Sequence, residues 1–122
     1  MTQHIVSYAG IRLPFPQSLT KERYMTMIQS IIKRDGRVVL YDQNKIAAAI
    51  LRALEAAREG NAADAARVAN DVQAELSGNF VGTSPNIENI QDAVERQLMN
   101  HGFNAAAKAY ILYRANRTRA RE

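Results

Sequence analysis

Residues 31–46 read Ile31-Ile32-Lys33-Arg34-Asp35-Gly36-Arg37-Val38-Val39-Leu40-Tyr41-Asp42-Gln43-Asn44-Lys45-Ile46, and this stretch decides the fold. Two runs with β-leaning composition, 27–34 and 37–41, flank Asp35-Gly36, a strong short-range signal for a β-hairpin. Asp42 follows, where a side-chain oxygen can cap a helix that starts near Gln43. A single hairpin is marginal alone, so it needs a body to lie on. It is expected to lie across one end of a helical bundle and to bury Ile31, Val38 or Leu40 there.

Working outward, Ile46, Ile50, Leu51 and Leu54 recur at helical spacing, and Gly60 reads as the end of this first helix. A second helix is predicted from about residue 62 to 76, with Ala65, Val68, Ala69, Val72 and Leu76 on one face and Gly78 and Gly82 at its exit. Residues 83–86 connect onward, either as a third short strand or as a cap through Asn86. The third helix carries Ile87, Ile90, Val94 and Leu98 and stops at His101-Gly102. The fourth begins near Asn104, lines its apolar side with Ala106, Ala107, Tyr110 and Ile111, and runs into a basic tail of Arg114, Arg117, Arg119 and Arg121. Upstream, residues 1–27 hold Pro14 and Pro16 and show no helical period. They read as a leader or loosely ordered extension in which Ile5, Val6, Tyr8, Ile11 and Leu13 make one short strand, and the folded domain is expected over 28–122.

The length of 122 residues fits one domain. Hydrophobic residues make up 47% of the chain, which places it among globular rather than disordered sequences. There is no cysteine, which excludes disulfides, thiolate metal sites and cysteine nucleophiles and fits a cytoplasmic protein. No apolar run approaches the ~20 residues that span a bilayer. The first residues have no basic region leading into an apolar stretch, so no signal peptide is expected and no membrane partner is foreseen. Of the two histidines, His4 lies in the leader and His101 at a helix end, where an imidazole meets terminal carbonyls. Glu88, Asp92 and Glu95 lie on one helix face, where solvation is the default. No metalloprotease, nucleophile-elbow or paired-carboxylate pattern is present, so no catalytic residues are assigned and the chain is not expected to be an enzyme in its own right.

A net charge of +4 points to nucleic acid or to small phosphates as partners. The Gly-x-x-x-x-Gly-Lys-Ser/Thr phosphate loop is absent, so cations and a helix end would have to hold any phosphate. Lys33, Arg34 and Arg37 flank the hairpin turn, and Lys45 lies in the first turn of the first helix, where free N–H groups favour an anion. A strand carrying Lys33 across that helix would gather two ammonium groups on one polyphosphate. The same Lys-Arg-Asp-Gly-Arg run reads from composition alone as a solvated turn.

The 31–46 stretch closely resembles the opening motif of the ATP-cone domain, the overall-activity switch of many ribonucleotide reductases, also found in a zinc-ribbon repressor of their genes. Residues 85–95 and 107–114 are similar to later motifs of that family, in the expected order, so that the likeness covers about residues 28–120. Residues 94–99 and 109–111 look most like the anaerobic, glycyl-radical branch. The resemblance implies an α+β, mostly α fold, a four-helix bundle capped by a small three-stranded β-sheet whose third strand lies near 82–84. It implies a nucleotide under the sheet, against the first helix. Carried over by position, Lys33, Arg34 and Lys45 meet phosphates, and Ile31, Tyr41 and Ile46 frame the adenine. Asp42 sits near ribose or base, Ile87 and Gln91 close the far side, and Arg114 or Arg117 reaches the phosphate tail. Some members carry an acidic residue where Val39 stands and a histidine where Gln91 stands, exchanges that bear on the base and ribose contacts.

The implied ligand is ATP or dATP with Mg²⁺ carried by the phosphates, and the implied partner is a reductase catalytic domain or subunit. ATP would permit activity and dATP suppress it, usually through a change in subunit assembly, so a homo-oligomer is possible. The sequence fits an excised domain or a free-standing regulator, and the lack of a four-cysteine ribbon argues against the repressor. Two other readings stand beside this one. A basic helical nucleic-acid module would use the last helix, but Arg117, Arg119 and Arg121 are not interleaved with stacking aromatics. A pure interaction domain would bind no small ligand.

Overall fold

A computed structural model describes the backbone of residues 5–8, 11–14 and 28–121 and the side chains of residues 28–120. Two strands, β1 (Ile5–Tyr8) and β2 (Ile11–Pro14), pair antiparallel, with Ile5 opposite Pro14 and Tyr8 opposite Ile11. One short strand was expected here, and the described residues form two. The rest of the expected leader lies outside the described residues.

The decisive hairpin is formed by β3 (Ser30–Ile32) and β4 (Val38–Leu40), paired antiparallel with Ile31 opposite Val39. Lys33 donates its N–H to the Arg37 carbonyl at 2.8 Å, and Gly36 donates to the Lys33 carbonyl at 2.9 Å. Gly36 alone in this turn has positive φ, +88°, while Asp35 does not. This is the geometry of a three-residue loop closed by a left-handed glycine, rather than a two-residue turn centred on Asp-Gly. Period two then sorts the strands. Ile31, Lys33, Val39 and Tyr41 line the space beneath the sheet, whereas Val38, expected to be buried, is 62% exposed on the opposite face.

Four helices follow: α1 (Gln43–Ala57), α2 (Ala62–Asn79), α3 (Ile87–Asn100) and α4 (Asn104–Arg121). They pack in a closed cycle, α1 on α2, α2 on α3, α3 on α4 and α4 on α1. Ile50, Leu54, Val68, Val72, Leu76, Val94 and Leu98 are fully buried between them. Each contributes on the order of 2 kcal/mol by leaving water, so the bundle rather than the three-residue strands carries the stability.

The helix ends show what the local sequence does. Asp42 caps α1, its carboxylate accepting from Asn44 and Lys45 N–H. Asn61 with Asp64, and Asn86 with Asn89, close reciprocal capping boxes at α2 and α3. The α1 C-terminus is set by Arg58, in the left-handed region at φ +55°, and not by Gly60 as expected. Its N–H and that of Glu59 bond back to Glu55 and Leu54 carbonyls. Gly60 serves another need: a Cβ there would meet Asp64 Oδ2 at 2.8 Å, displacing the carboxylate that caps α2.

The expected third strand near 82–84 is reduced to one parallel bridge, Ile32 with Asn86. Ile32 N–H donates to the Pro85 carbonyl at 3.0 Å, and the Ser30 and Ser84 hydroxyls bond at 2.6 Å. The pairing cannot extend, because Gly82 turns at φ +73°, Pro85 has no N–H to give and Asn86 is committed to capping α3.

Candidate functional site

Two connected cavities lie between the hairpin and the bundle. The inner one, about 440 Å³, is lined by Ile31, Val39, Leu40, Tyr41, Asp42, Ile46, Ile90 and Val94. The outer one, about 650 Å³, is lined by Arg34, Asp35, Arg37, Ala48, Arg52, Gln91, Tyr113, Arg114 and Arg117. Lys33, Lys45, Ala49, Ile87 and Tyr110 border both. One cavity is therefore walled mostly by hydrocarbon, half of the residues that line the other are cations, and two ammonium groups stand at the junction.

Every sequence-predicted site residue borders this cleft. Lys33 and Lys45 share it because the β3 strand carries the first over the helix that carries the second. Ile31, Tyr41, Asp42 and Ile46 border the inner part, and Arg34, Gln91, Arg114 and Arg117 the outer part. Arg52, Tyr110 and Tyr113 were not foreseen as site residues. Arg52 was legible as the next step of the Lys45–Ala48–Ala49 face of α1, at helical spacing. Tyr110 reads from sequence as plain core, and it is buried, but it also walls both cavities.

The cations differ in how far they are already engaged. Among the described residues, no ion pair or side-chain hydrogen bond holds Lys33, Lys45 or Arg52. Arg37 is paired with Asp35 at 2.6 Å, and Arg117 lies over the Tyr113 ring and donates to its hydroxyl at 3.0 Å. That hydrogen bond holds the Tyr113 hydroxyl below its ordinary range. Arg34 pairs with Glu88 at 2.9 Å. Arg114 is held by three carboxylates, Glu88 at 2.7 Å and Asp92 and Glu95 at 2.8 Å. Partial burial works against its charge, but the three hydrogen bonds outweigh that and raise its pKa. The expectation that Glu88, Asp92 and Glu95 simply face water is thus corrected. They stand at i, i+4 and i+7 on α3, and α4 passes close enough for one guanidinium to span all three.

The helix end also departs from expectation. Two of the first N–H groups of α1 are not free for an anion, because Asp42 Oδ1 already accepts from Asn44 at 3.0 Å and Lys45 at 3.4 Å. Cationic side chains, not this helix terminus, supply the positive field.

Two buried polar atoms beside the cleft lack a partner among the described residues, the Tyr41 hydroxyl and Gln91 Oε1. A buried unsatisfied group costs about 1–3 kcal/mol, so each stands ready for a hydrogen bond from outside the chain. Burial pushes the Tyr41 hydroxyl up, and that of Tyr110 up to about 12, so both remain protonated donors at neutral pH. No three His, Cys, Asp or Glu side chains are grouped to hold a metal ion among the described residues.

A family model of the ATP cone domain matches residues 29–119. The chain belongs to the ATP-cone family. It is similar to the vitamin B12-dependent ribonucleoside-diphosphate reductase of Thermoplasma acidophilum, 41% identical over 101 residues, which is 79% of this chain and 13% of that protein. It is similar to the anaerobic ribonucleoside-triphosphate reductase of Escherichia coli, 40% identical over 96 residues, with the same 79% and 13% covered. The ribonucleoside-diphosphate reductase subunit alpha of Chlamydia trachomatis is 37% identical over 103 residues, 76% of this chain and 10% of that subunit. The ATP-cone chain thus spans only 10–13% of these relatives. No helix among the described residues is long and apolar enough to cross a membrane.

Proposed function

We propose that this ATP-cone chain binds ATP or dATP and acts as an allosteric regulatory domain that switches the overall activity of a ribonucleotide reductase. The observation that carries the reading is the joined pair of cavities, one apolar and one cationic, with Lys33 and Lys45 where they meet. Adenine enters the inner cavity between Ile31, Tyr41 and Ile46, and the orphaned Tyr41 hydroxyl gains a ring-nitrogen partner. Ribose lies near Asp42 and Ile87. The triphosphate extends into the outer cavity toward Lys33, Lys45, Arg52 and Arg34, with Arg117 farther along. Mg²⁺ would be carried by the phosphates and would offset part of their charge.

Regulation follows from differential affinity. ATP and dATP differ by one 2′-hydroxyl, and a polar group that bonds it is left unpaired by dATP. If the two ligands favour different arrangements of the domain, each coupled site supplies about 1–3 kcal/mol toward a change in assembly or in contact with a catalytic subunit. Kinship to reductases of several kinds supports this role.

The test is calorimetric titration of the chain with ATP, dATP and GTP. An adenine-selective signal is expected. Equal binding of GTP refutes the base pocket, and silence with all three refutes the ligand class. Size measurement with each nucleotide present tests the assembly change: an unaltered size with both adenine nucleotides removes that part of the proposal.

A further inference from the structure

Glu88 holds two guanidinium groups from different elements. Its Oε1 meets Arg34 of the hairpin turn at 2.9 Å, and its Oε2 meets Arg114 of α4 at 2.7 Å. Both arginines border the cationic cavity. The two bonds differ in how firmly they are set. Arg114 is 21% exposed and keeps Asp92 and Glu95 if Glu88 leaves. Arg34 is 40% exposed, and Glu88 is its only ion-pair partner among the described residues. A half-exposed single pair is weak, worth about what one competing anion can replace.

We propose that Glu88 is an internal counter-anion that the polyphosphate displaces from Arg34. Through Arg34 it ties the hairpin turn to α3. A triphosphate reaching the outer cavity offers Arg34 more negative charge than one carboxylate does. Arg34 turns to the phosphate, Arg114 stays on α3, and the hairpin turn is released from Glu88 to close over the ligand while Ile32 stays on the Pro85 carbonyl. Glu88 thereby lowers affinity for all phosphates, most for the longest, and makes hairpin movement a consequence of phosphate number. This inference rests on the nucleotide reading above but concerns a residue that reading does not use.

The experiment is titration of the full chain and of its Glu88→Gln, Arg34→Gln and doubly substituted forms with ATP, AMP and inorganic tripolyphosphate, with circular dichroism to check the fold. Glu88→Gln is expected to bind ATP and tripolyphosphate about three- to fivefold more tightly, the upper size of one screened charge pair. AMP should change less than about twofold, since little phosphate charge reaches the outer cavity. In the Arg34→Gln background the gain should shrink below about twofold, because the two residues act on each other. Unchanged or weaker ATP binding by Glu88→Gln, or an undiminished gain without Arg34, overturns the exchange. A gain for tripolyphosphate when ATP binds no better than tripolyphosphate keeps the exchange and defeats the adenine pocket. Strong preference for ATP with no effect of Glu88→Gln does the reverse.

Discussion

Replacing Arg114 by methionine keeps most of the side-chain length and removes the charge that three α3 carboxylates share. The cost can be worked from the contacts. The bond to Glu95, 2.8 Å long with both partners about one-fifth exposed, lies near the buried end of the range. Losing it should cost about 2 kcal/mol. Glu88 and Asp92 are each 47% exposed, so their bonds to Arg114 add about 0.5 kcal/mol apiece. The total, about 3 kcal/mol, also reflects three like charges left on one helix face. For a domain of this size it corresponds to a fall in Tm of roughly 12–24 °C. Urea unfolding followed by circular dichroism reads it directly. Added salt should narrow the difference between variant and parent, since two of the carboxylates face water. A loss below about 1 kcal/mol would show that the carboxylates do not depend on Arg114, and the description of α3 and α4 as joined by this cluster would be wrong.

Lys33→Ala and Lys45→Ala should each weaken ATP binding by about 1–3 kcal/mol, the scale of a charged hydrogen bond, with Tm nearly unchanged because neither lysine holds another part of the described chain; unchanged affinity in both removes the phosphate assignment. Burial raises the pKa of Tyr110 to about 12, so the folded chain binds its proton more tightly than the unfolded chain does. The stability this gives is complete below about pH 10 and is lost as pH rises from there toward 12. Alkaline unfolding curves should therefore fall less steeply for Tyr110→Phe than for the parent; identical slopes would contradict the burial argument. Glu59 accepts from the Ala106 N–H at 2.6 Å and so caps α4 from the α1–α2 connection. Glu59→Ala should cost about 1 kcal/mol in thermal or urea unfolding, as the loss of a helix cap does, and no loss would refute the cap.

Much of this arrangement was legible because it is local. Asp42 lies one residue ahead of a periodic apolar face, and Gly36 sits where a hairpin loop needs a left-handed residue, so cap and turn follow from neighbours in the chain. The site residues carried over from the family motif also border one cleft. What escaped was set by contacts between elements distant in sequence. Nothing in 88–95 says that Arg114 will arrive, only that three carboxylates share a face. Gly60 looked like a helix terminator, but its role is fixed by Asp64 across the next turn. The third strand failed for a reason written in the sequence yet easily overridden by analogy: a segment with proline and a capping asparagine cannot extend a ladder.

The cleft joins parts of unequal firmness, and that bears on how a nucleotide could be felt elsewhere. Its floor is α1, α3 and α4, fastened by fully buried Ile50, Leu54, Val94 and Leu98. Its roof is a pair of three-residue strands fastened at its margins. Tyr41 N–H donates to the Gln29 carbonyl, Ile28 N–H to Ser77 Oγ at 3.2 Å, and Gln73 to the Ile28 carbonyl at 3.4 Å. The first of those bonds closes the hairpin itself, the other two hold the start of β3, the Ile32 N–H on the Pro85 carbonyl and the Ser30–Ser84 hydroxyl pair hold its length, and the turn beyond is held by Arg34 on Glu88. The strands are therefore the firmly held part of the roof, and the 33–37 turn is the part held by one half-exposed ion pair. A ligand that draws Lys33 and Arg34 toward Lys45 pulls on the weaker end only. Under the proposed function, binding energy would then shift the turn relative to α3 and α4, without any demand that the core repack.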